Sequence, residues 1–348
     1  MCIYLTSKEK LSYKNAEHII SAGLGGKLKL PLGYVSDEFN NIISKCEQEF
    51  LRSSIISLPR QISGPGKRGS LNPKKETKSK ISVFSEPTNG ESFSLGYIQM
   101  SKPFEIPHVI FNQITGEVIF NFPKENSEDE LKNFSENISK AKNLKTRFIK
   151  FEALEKHKFI LGIKSGIEEN YSCFIASYDG KTNPFTQTLV NEISNTLNNS
   201  INPLLISSQV RTHQSAKVDS NYYRCCAKIA FNFLAFCSGK DFVLNSKFNT
   251  LRDWIVNGGK NEFVYILHPN KTSTLKFPED SHQIRIFVVD GNLVANITFY
   301  DKFNNLVILC RNFNKKFKIK GLICDWKNEK EYELYEYIAQ SIKDTAPR

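Results

Sequence analysis

The dipeptide Asp290-Gly291 joins two apolar runs, residues 283–289 and 292–300, at the spacing of a tight β-hairpin. A two-residue turn of this kind fixes antiparallel register across the strands it connects. Further strand-like runs at 262–268 and 305–311 extend the pattern, so this part of the chain must build an antiparallel sheet. Upstream, the apolar period changes from two to between three and four. That predicts helices over 221–238, closed by Gly239, and over 248–257, closed by Gly258-Gly259. Helices and antiparallel strands separated along the chain predict an α+β architecture.

The middle of the chain continues the alternation. Residues 107–112 and 116–122 flank a short turn and read as a hairpin, and Ser127 opens a helix with acids in its first turn. Strands are expected near 147–153, 158–164 and 171–178, the last followed by the turn dipeptide Asp179-Gly180, and a helix near 185–198. Residues 59–95 are dense in Pro, Gly, Ser and Lys, a composition that favours an extended, solvated connector. The expected organisation is thus a module at 1–58, a basic connector at 59–95 and a larger α+β domain at 96–348 with an antiparallel sheet. No internal repeat is evident.

Charge and cysteine usage narrow the partners. Of the formal +11, residues 1–80 contribute +7, from 14 Lys+Arg against 7 Asp+Glu, and the other residues only +4. A basic field concentrated in this way suits a polyanion, because each cation placed on a phosphate releases condensed counter-ions; a lysine-rich composition alone explains it equally well. The eight cysteines form no CxxC pair, and most lie in apolar runs, so they read as small buried hydrophobes. There is no run of about 18 apolar residues and no secretory leader pattern, so a cytoplasmic protein without a membrane span is expected.

The residues that carry chemistry cluster near the start. Glu17-His18 places a carboxylate beside an imidazole, ahead of the glycine-rich turn Gly23-Leu-Gly-Gly26. Leu28-Lys-Leu30 and Tyr34-Val35 can supply a second short strand, and a helix is expected from Asp37 to Arg52. Phe39, Ile42, Ile43, Cys46 and Phe50 form its apolar stripe, while Asn40, Ser44 and Glu47 share a polar face. A strand pair packed on this helix, with Glu17 and His18 facing Asn40, surrounds one small volume with a carboxylate, an imidazole and an amide oxygen. Such a set can hold one hard divalent ion and leave the histidine free to take a proton from water.

The segment Glu17-His-Ile-Ile, Gly25-Gly26 and Val35-Ser-Asp-Glu-Phe-Asn-Asn41 resembles the HNH endonucleases, whose ββα-metal motif commonly reads EHIIP, LGG and VCxxCNN. The resemblance covers residues 2–52, and more loosely Arg224 to Ile255 as an accessory or target-recognition region. It implies His18 as general base, Glu17 and Asn40 as catalytic metal ligands with Glu47 as a third, and Mg²⁺ or Mn²⁺ as the ion. It implies DNA as substrate, and a role in bacterial restriction or anti-phage defence, alone, as a homo-oligomer or as a subunit of a defence complex. Arg60, Lys67, Arg68, Lys74 and Lys75 are then expected on the DNA backbone; a merely solvated linker is the alternative for these basic residues.

The chain departs from the family at the zinc knuckle. Its two CxxC pairs read Cys2-Ile-Tyr-Leu5 and Ser36-Asp-Glu-Phe39, so three of four ligands are missing and no structural zinc is expected. Leu5 and Phe39 are expected to meet as an apolar contact in its place. Ser21 stands where the family has proline, and no middle asparagine of the His-Asn-His set is evident near Gly33. Two readings follow: an active nuclease that has lost its zinc, or a degenerate HNH fold acting as a DNA-binding or regulatory subunit.

Overall fold

The computed structural model describes residues 1–72, 75, 77–85, 92–99, 101–121, 134, 145–168, 171–184, 210–214, 216–268 and 276–345. The chain divides into two compact units, one built from residues 1–77 and 216–348 and the other from 78–215. The second unit is therefore inserted, in sequence, into the first.

Among the described residues the inserted unit carries two β-sheets. Strands β1 (Ser82–Ser85), β2 (Phe93–Gln99) and β3 (Lys102–Glu105) form a meander, with β4 (His108–Asn112) and β5 (Val118–Asn121) as the expected hairpin. They are followed by β6 (Thr146–Lys150), β7 (Lys158–Glu168), β8 (Tyr171–Ser177) and β9 (Arg211–His213). The sheet orders are β3-β2-β1-β9 and β5-β4-β7-β8-β6, antiparallel except for the parallel pair β6 and β8. Two apolar clusters fill this unit, one around Val109, Phe159 and Ile175 and one around Val83, Leu95 and Phe174. At its centre His108 is fully buried in the neutral form. Its Nδ1 lies 2.8 Å from the carbonyl of Ile106 and its Nε2 2.9 Å from the Asn121 amide, one bond given and one received. The helices expected from Ser127 and over 185–198 fall outside the described residues.

The other unit carries the N-terminal motif. Its helices are α1 (Asp37–Ser53), α2 (Ser57–Ile62), α3 (Ser220–Ser238), α4 (Lys240–Val243), α5 (Asn249–Asn257) and α6 (Leu334–Thr345), six among the described residues. Its strands are β10 (Val264–Leu267), β11 (His282–Val289), β12 (Asn292–Phe299), β13 (Phe303–Cys310), β14 (Lys320–Asp325) and β15 (Lys330–Glu333). They form one antiparallel sheet in the order β10-β13-β12-β11-β14-β15. The hairpin β11–β12 pairs Val289 with Asn292 across Asp290-Gly291, both of which have positive φ, as the dipeptide predicts.

The chain is thus mixed α+β, with antiparallel sheets prevailing. The expected module boundary at 58/59 does not coincide with a boundary between compact units. Residues 1–58 share one apolar core with α3 and the six-stranded sheet: Phe39, Ile43 and Phe50 of α1, Tyr222 and Phe231 of α3, and Ile297 and Phe299 of β12 belong to a single cluster. Phe50 makes the junction, its ring 5.6 Å from Tyr222 and 5.5 Å, edge-on, from Phe299. A segment this short buries too little surface alone, and packing its apolar stripe on a distant helix resolves that. Nor is 59–95 a plain connector. It holds most of α2, all of β1 and the start of β2, because Pro59 is tolerated in a first helical turn and Ser82-Val-Phe-Ser85 is a buried strand despite its polar flanks.

Candidate functional site

Ser36 starts α1. Its hydroxyl accepts the Phe39 N–H at the N-cap, and Asp37 and Glu38 lie in the first turn, where the helix dipole stabilises them. Phe39, Ile43, Cys46 and Phe50 are buried as expected, but Ile42 is 38% exposed, so the stripe is narrower than the sequence implied. Ahead of the helix, His18 and Lys29 form an isolated antiparallel bridge, with Ile19 N–H donating to the Leu28 carbonyl and Leu30 N–H to that of Glu17. A short antiparallel contact followed by a helix is therefore present, and it brings Glu17 and Glu47 together.

They meet on a residue that the motif does not contain. Lys228 of α3 is buried, and its Nζ donates to Glu17 Oε1 at 2.5 Å and to Glu47 Oε1 at 2.8 Å. Both carboxylates are largely shielded, with side-chain exposures of 14% and 25% against 1% for the lysine. Ser21 adds a hydroxyl donor to Glu47 Oε1 at 2.8 Å, so the residue in the family's proline position holds the second acid in place. Burial pushes the Glu47 carboxyl up, but the Lys228 ammonium and the two hydrogen bonds outweigh it and hold Glu47 below its usual range. Burial likewise works against the charge on Lys228, and the two carboxylates overcome it, raising its pKa.

Asn232, one turn after Lys228, completes the contact. Its Nδ2 donates to the His18 carbonyl at 3.0 Å, and its Oδ1 accepts the Tyr4 hydroxyl at 2.6 Å. His18 is thereby fixed by its backbone on both sides, through the bridge to Lys29 and through α3. Its ring is half-buried; burial and the nearby Lys29 ammonium lower its pKa, and the Glu17 carboxylate opposes them. The imidazole is consequently neutral, and able to accept a proton, at neutral pH. Asn40 lies two turns before Glu47 on the same face of α1, and its Oδ1 is buried without a hydrogen-bond partner. Ser44, between them, is exposed and donates to the Asn41 carbonyl instead.

The knuckle positions also converge. Cys2 Sγ accepts N–H groups from Tyr4 and from Ser36, each at 3.4 Å. Phe39 stacks on Tyr4, with ring centroids 3.8 Å apart and planes within 4°, and Leu5 is buried in the same apolar cluster. Seven of the eight cysteines are buried and all are free thiols, in keeping with a packing role.

The glycine loop that follows Glu17-His18 is held from several sides. A Cβ on Gly26 would lie 2.1 Å from the Ile20 carbonyl oxygen, so only glycine fits there. His282 Nε2 lies 3.1 Å from the Leu24 carbonyl, and its Nδ1 accepts the Tyr300 N–H, which makes the ring a neutral donor to Leu24. Arg60 corrects an expectation. It is buried, and its guanidinium donates to the carbonyls of Gly23 and Gly66, so it locks the loop and does not reach a phosphate. Lys67, Arg68 and Lys75 are exposed, and Lys74 lies outside the described residues.

Sequence reasoning missed Lys228 and Asn232. A signal for them exists: within the apolar run 225–235 they are the two polar side chains, spaced i and i+4, and so forced to be buried on one helix face. Among the described residues no group of three or more His, Cys, Asp or Glu is placed to hold a metal ion. Two carboxylates, Glu17 and Glu47, do meet at Lys228, and carboxylate oxygens suit a hard cation in donor chemistry. No family model, no curated protein and no solved structure matches the chain.

Proposed function

We propose that this chain is a divalent-metal-dependent endonuclease of the HNH type, with a ββα-metal module spanning the His18–Lys29 bridge and α1, and with DNA as substrate. The observation that carries the reading is the convergence of Glu17 and Glu47 on one point, within electrostatic reach of a half-buried neutral His18. His18 takes a proton from the attacking water, and its position is set by the Lys29 bridge and the Asn232 amide. Glu17, Asn40 and Glu47 are the residues that would hold Mg²⁺ or Mn²⁺. Bound there, the ion supplies Lewis-acid stabilisation of charge on the phosphate and the leaving oxygen. Exposed Lys67, Arg68 and Lys75 engage the DNA backbone.

Incubating supercoiled plasmid with the protein and Mg²⁺ or Mn²⁺ tests the proposal. Nicking by the wild type and loss of at least 100-fold in His18→Ala are expected. Equal nicking by both, or none by the wild type with any divalent ion, rejects it.

One observation favours a second reading. The Lys228 ammonium already occupies Oε1 of both acids, which fits a degenerate site kept as the core of a DNA-binding or regulatory subunit of a defence complex. That reading predicts DNA binding that weakens steeply with salt and no nicking in any metal.

A further inference from the structure

Lys228 raises a question that the proposed reaction leaves open. Its side chain is 1% exposed and its ammonium lies on the two acids, so in this arrangement it presents nothing to a phosphate on the surface. What it does reach is one oxygen on each of the two acids that the proposed ion needs. The Oε1 atoms of Glu17 and Glu47 each lie within hydrogen-bond distance of a single nitrogen, which puts them at the separation spanned by one cation. The lysine is also tethered. It sits on a helix whose Asn232, one turn on, is bonded to Tyr4 and to the His18 carbonyl, so α3 is anchored beside the acids whether or not the ammonium stays between them.

We propose that Lys228 is the resident counter-ion of this site, and that a divalent cation binds Glu17 and Glu47 only by exchanging with its ammonium. The inference rests on the nuclease reading and adds a competitor built into the chain. Two like-signed charges cannot share these two oxygens at contact distance inside a shielded volume, where repulsion is weakly screened. The lysine stem is four methylenes long, so its head can swing away from the acids while the helix backbone stays fixed. Lys228 is therefore a positioning residue. It keeps the two carboxylates together before the ion arrives, and its displacement sets the ion concentration at which the site fills.

Mn²⁺ binding to the full chain, measured by electron paramagnetic resonance, tests the exchange. Lys228→Met is expected to bind Mn²⁺ at least tenfold more tightly than the wild type, and Glu47→Gln in the Lys228→Met background should abolish the gain. Unchanged affinity in Lys228→Met overturns the exchange while leaving the metal site standing. Absence of Mn²⁺ binding in both proteins rejects the metal site itself, and the exchange with it.

A readout on the wild type does not depend on the variant folding. Acetic anhydride labelling followed by peptide mass spectrometry should leave Lys228 unmodified without metal and modify it at saturating Mn²⁺. Protection in both conditions, with Mn²⁺ shown to be bound, overturns the proposal.

Discussion

Asn232 and His282 do similar work at opposite ends of the motif: each spends a buried polar group on a backbone carbonyl of the loop that carries Glu17 and His18. Replacing Asn232 by Leu removes the donor to the His18 carbonyl and leaves the Tyr4 hydroxyl only its longer bond to the Lys228 carbonyl, 3.3 Å. An unmade buried hydrogen bond costs about 1–3 kcal/mol, so urea unfolding should show a loss in that range. His282 gives a pH dependence. Burial pushes its pKa down to about 3 from 6.5, and its Nδ1 has no room for a proton while the Tyr300 N–H points at it. Because the folded value lies below the unfolded one, the unfolded chain binds the proton first. The stabilisation is whole above about pH 6.5 and drains as pH falls towards 3, at about 1.4 kcal/mol per pH unit. Unfolding midpoints at pH 7 and pH 5.5 should therefore separate, and His282→Gln should narrow the gap while lowering stability at pH 7. Neither role was legible beforehand, since a lone His or Asn in sequence does not name a partner more than 200 residues away.

Helix α1 is the element on which the motif depends, and its sequence announced it well. An N-cap serine, two acids in the first turn and an apolar stripe are local signals that survive any tertiary context. Its neighbours were harder. Strand β15, Lys330-Glu-Tyr-Glu333, reads as polar surface because it is an edge strand, and β14 is short; neither alternates for long enough to stand out. The stacked pair Tyr4–Phe39 joins α1 to the N-terminus by packing. Packing at this junction predicts that Phe39→Ala costs about 3–5 kcal/mol, as for other large-to-small changes in a core. It also predicts that EDTA leaves the melting temperature of the wild type unchanged. A fall on chelation, with stoichiometric zinc found by elemental analysis, would contradict the packing account.

At the scale of the molecule, the same physics that made the candidate site partly readable also hid one of its components. Glu17, His18 and Asn40 stand within one short segment, where spacing carries meaning; Lys228 arrives from the far side of an inserted unit. The shared core of residues 1–77 and 216–348 leads to a direct prediction. A fragment ending at residue 77 should lack a cooperative unfolding transition, because α1 has lost Tyr222, Phe231 and Phe299 as packing partners. Co-expression with 216–348 should restore it. A folded, cooperative 1–77 fragment would mean that the motif is self-sufficient.

The insertion of 78–215 also places a clock in the biosynthesis of the protein. Lys228 follows Glu47 by 181 residues. At a synthesis rate of about 5–20 residues per second, roughly 10–40 s separate the two at the ribosome. Throughout that interval the two acids have no counter-ion and the apolar stripe of α1 has no helix to cover it. A nascent or prematurely terminated chain therefore carries the motif residues without the helix that holds them in place.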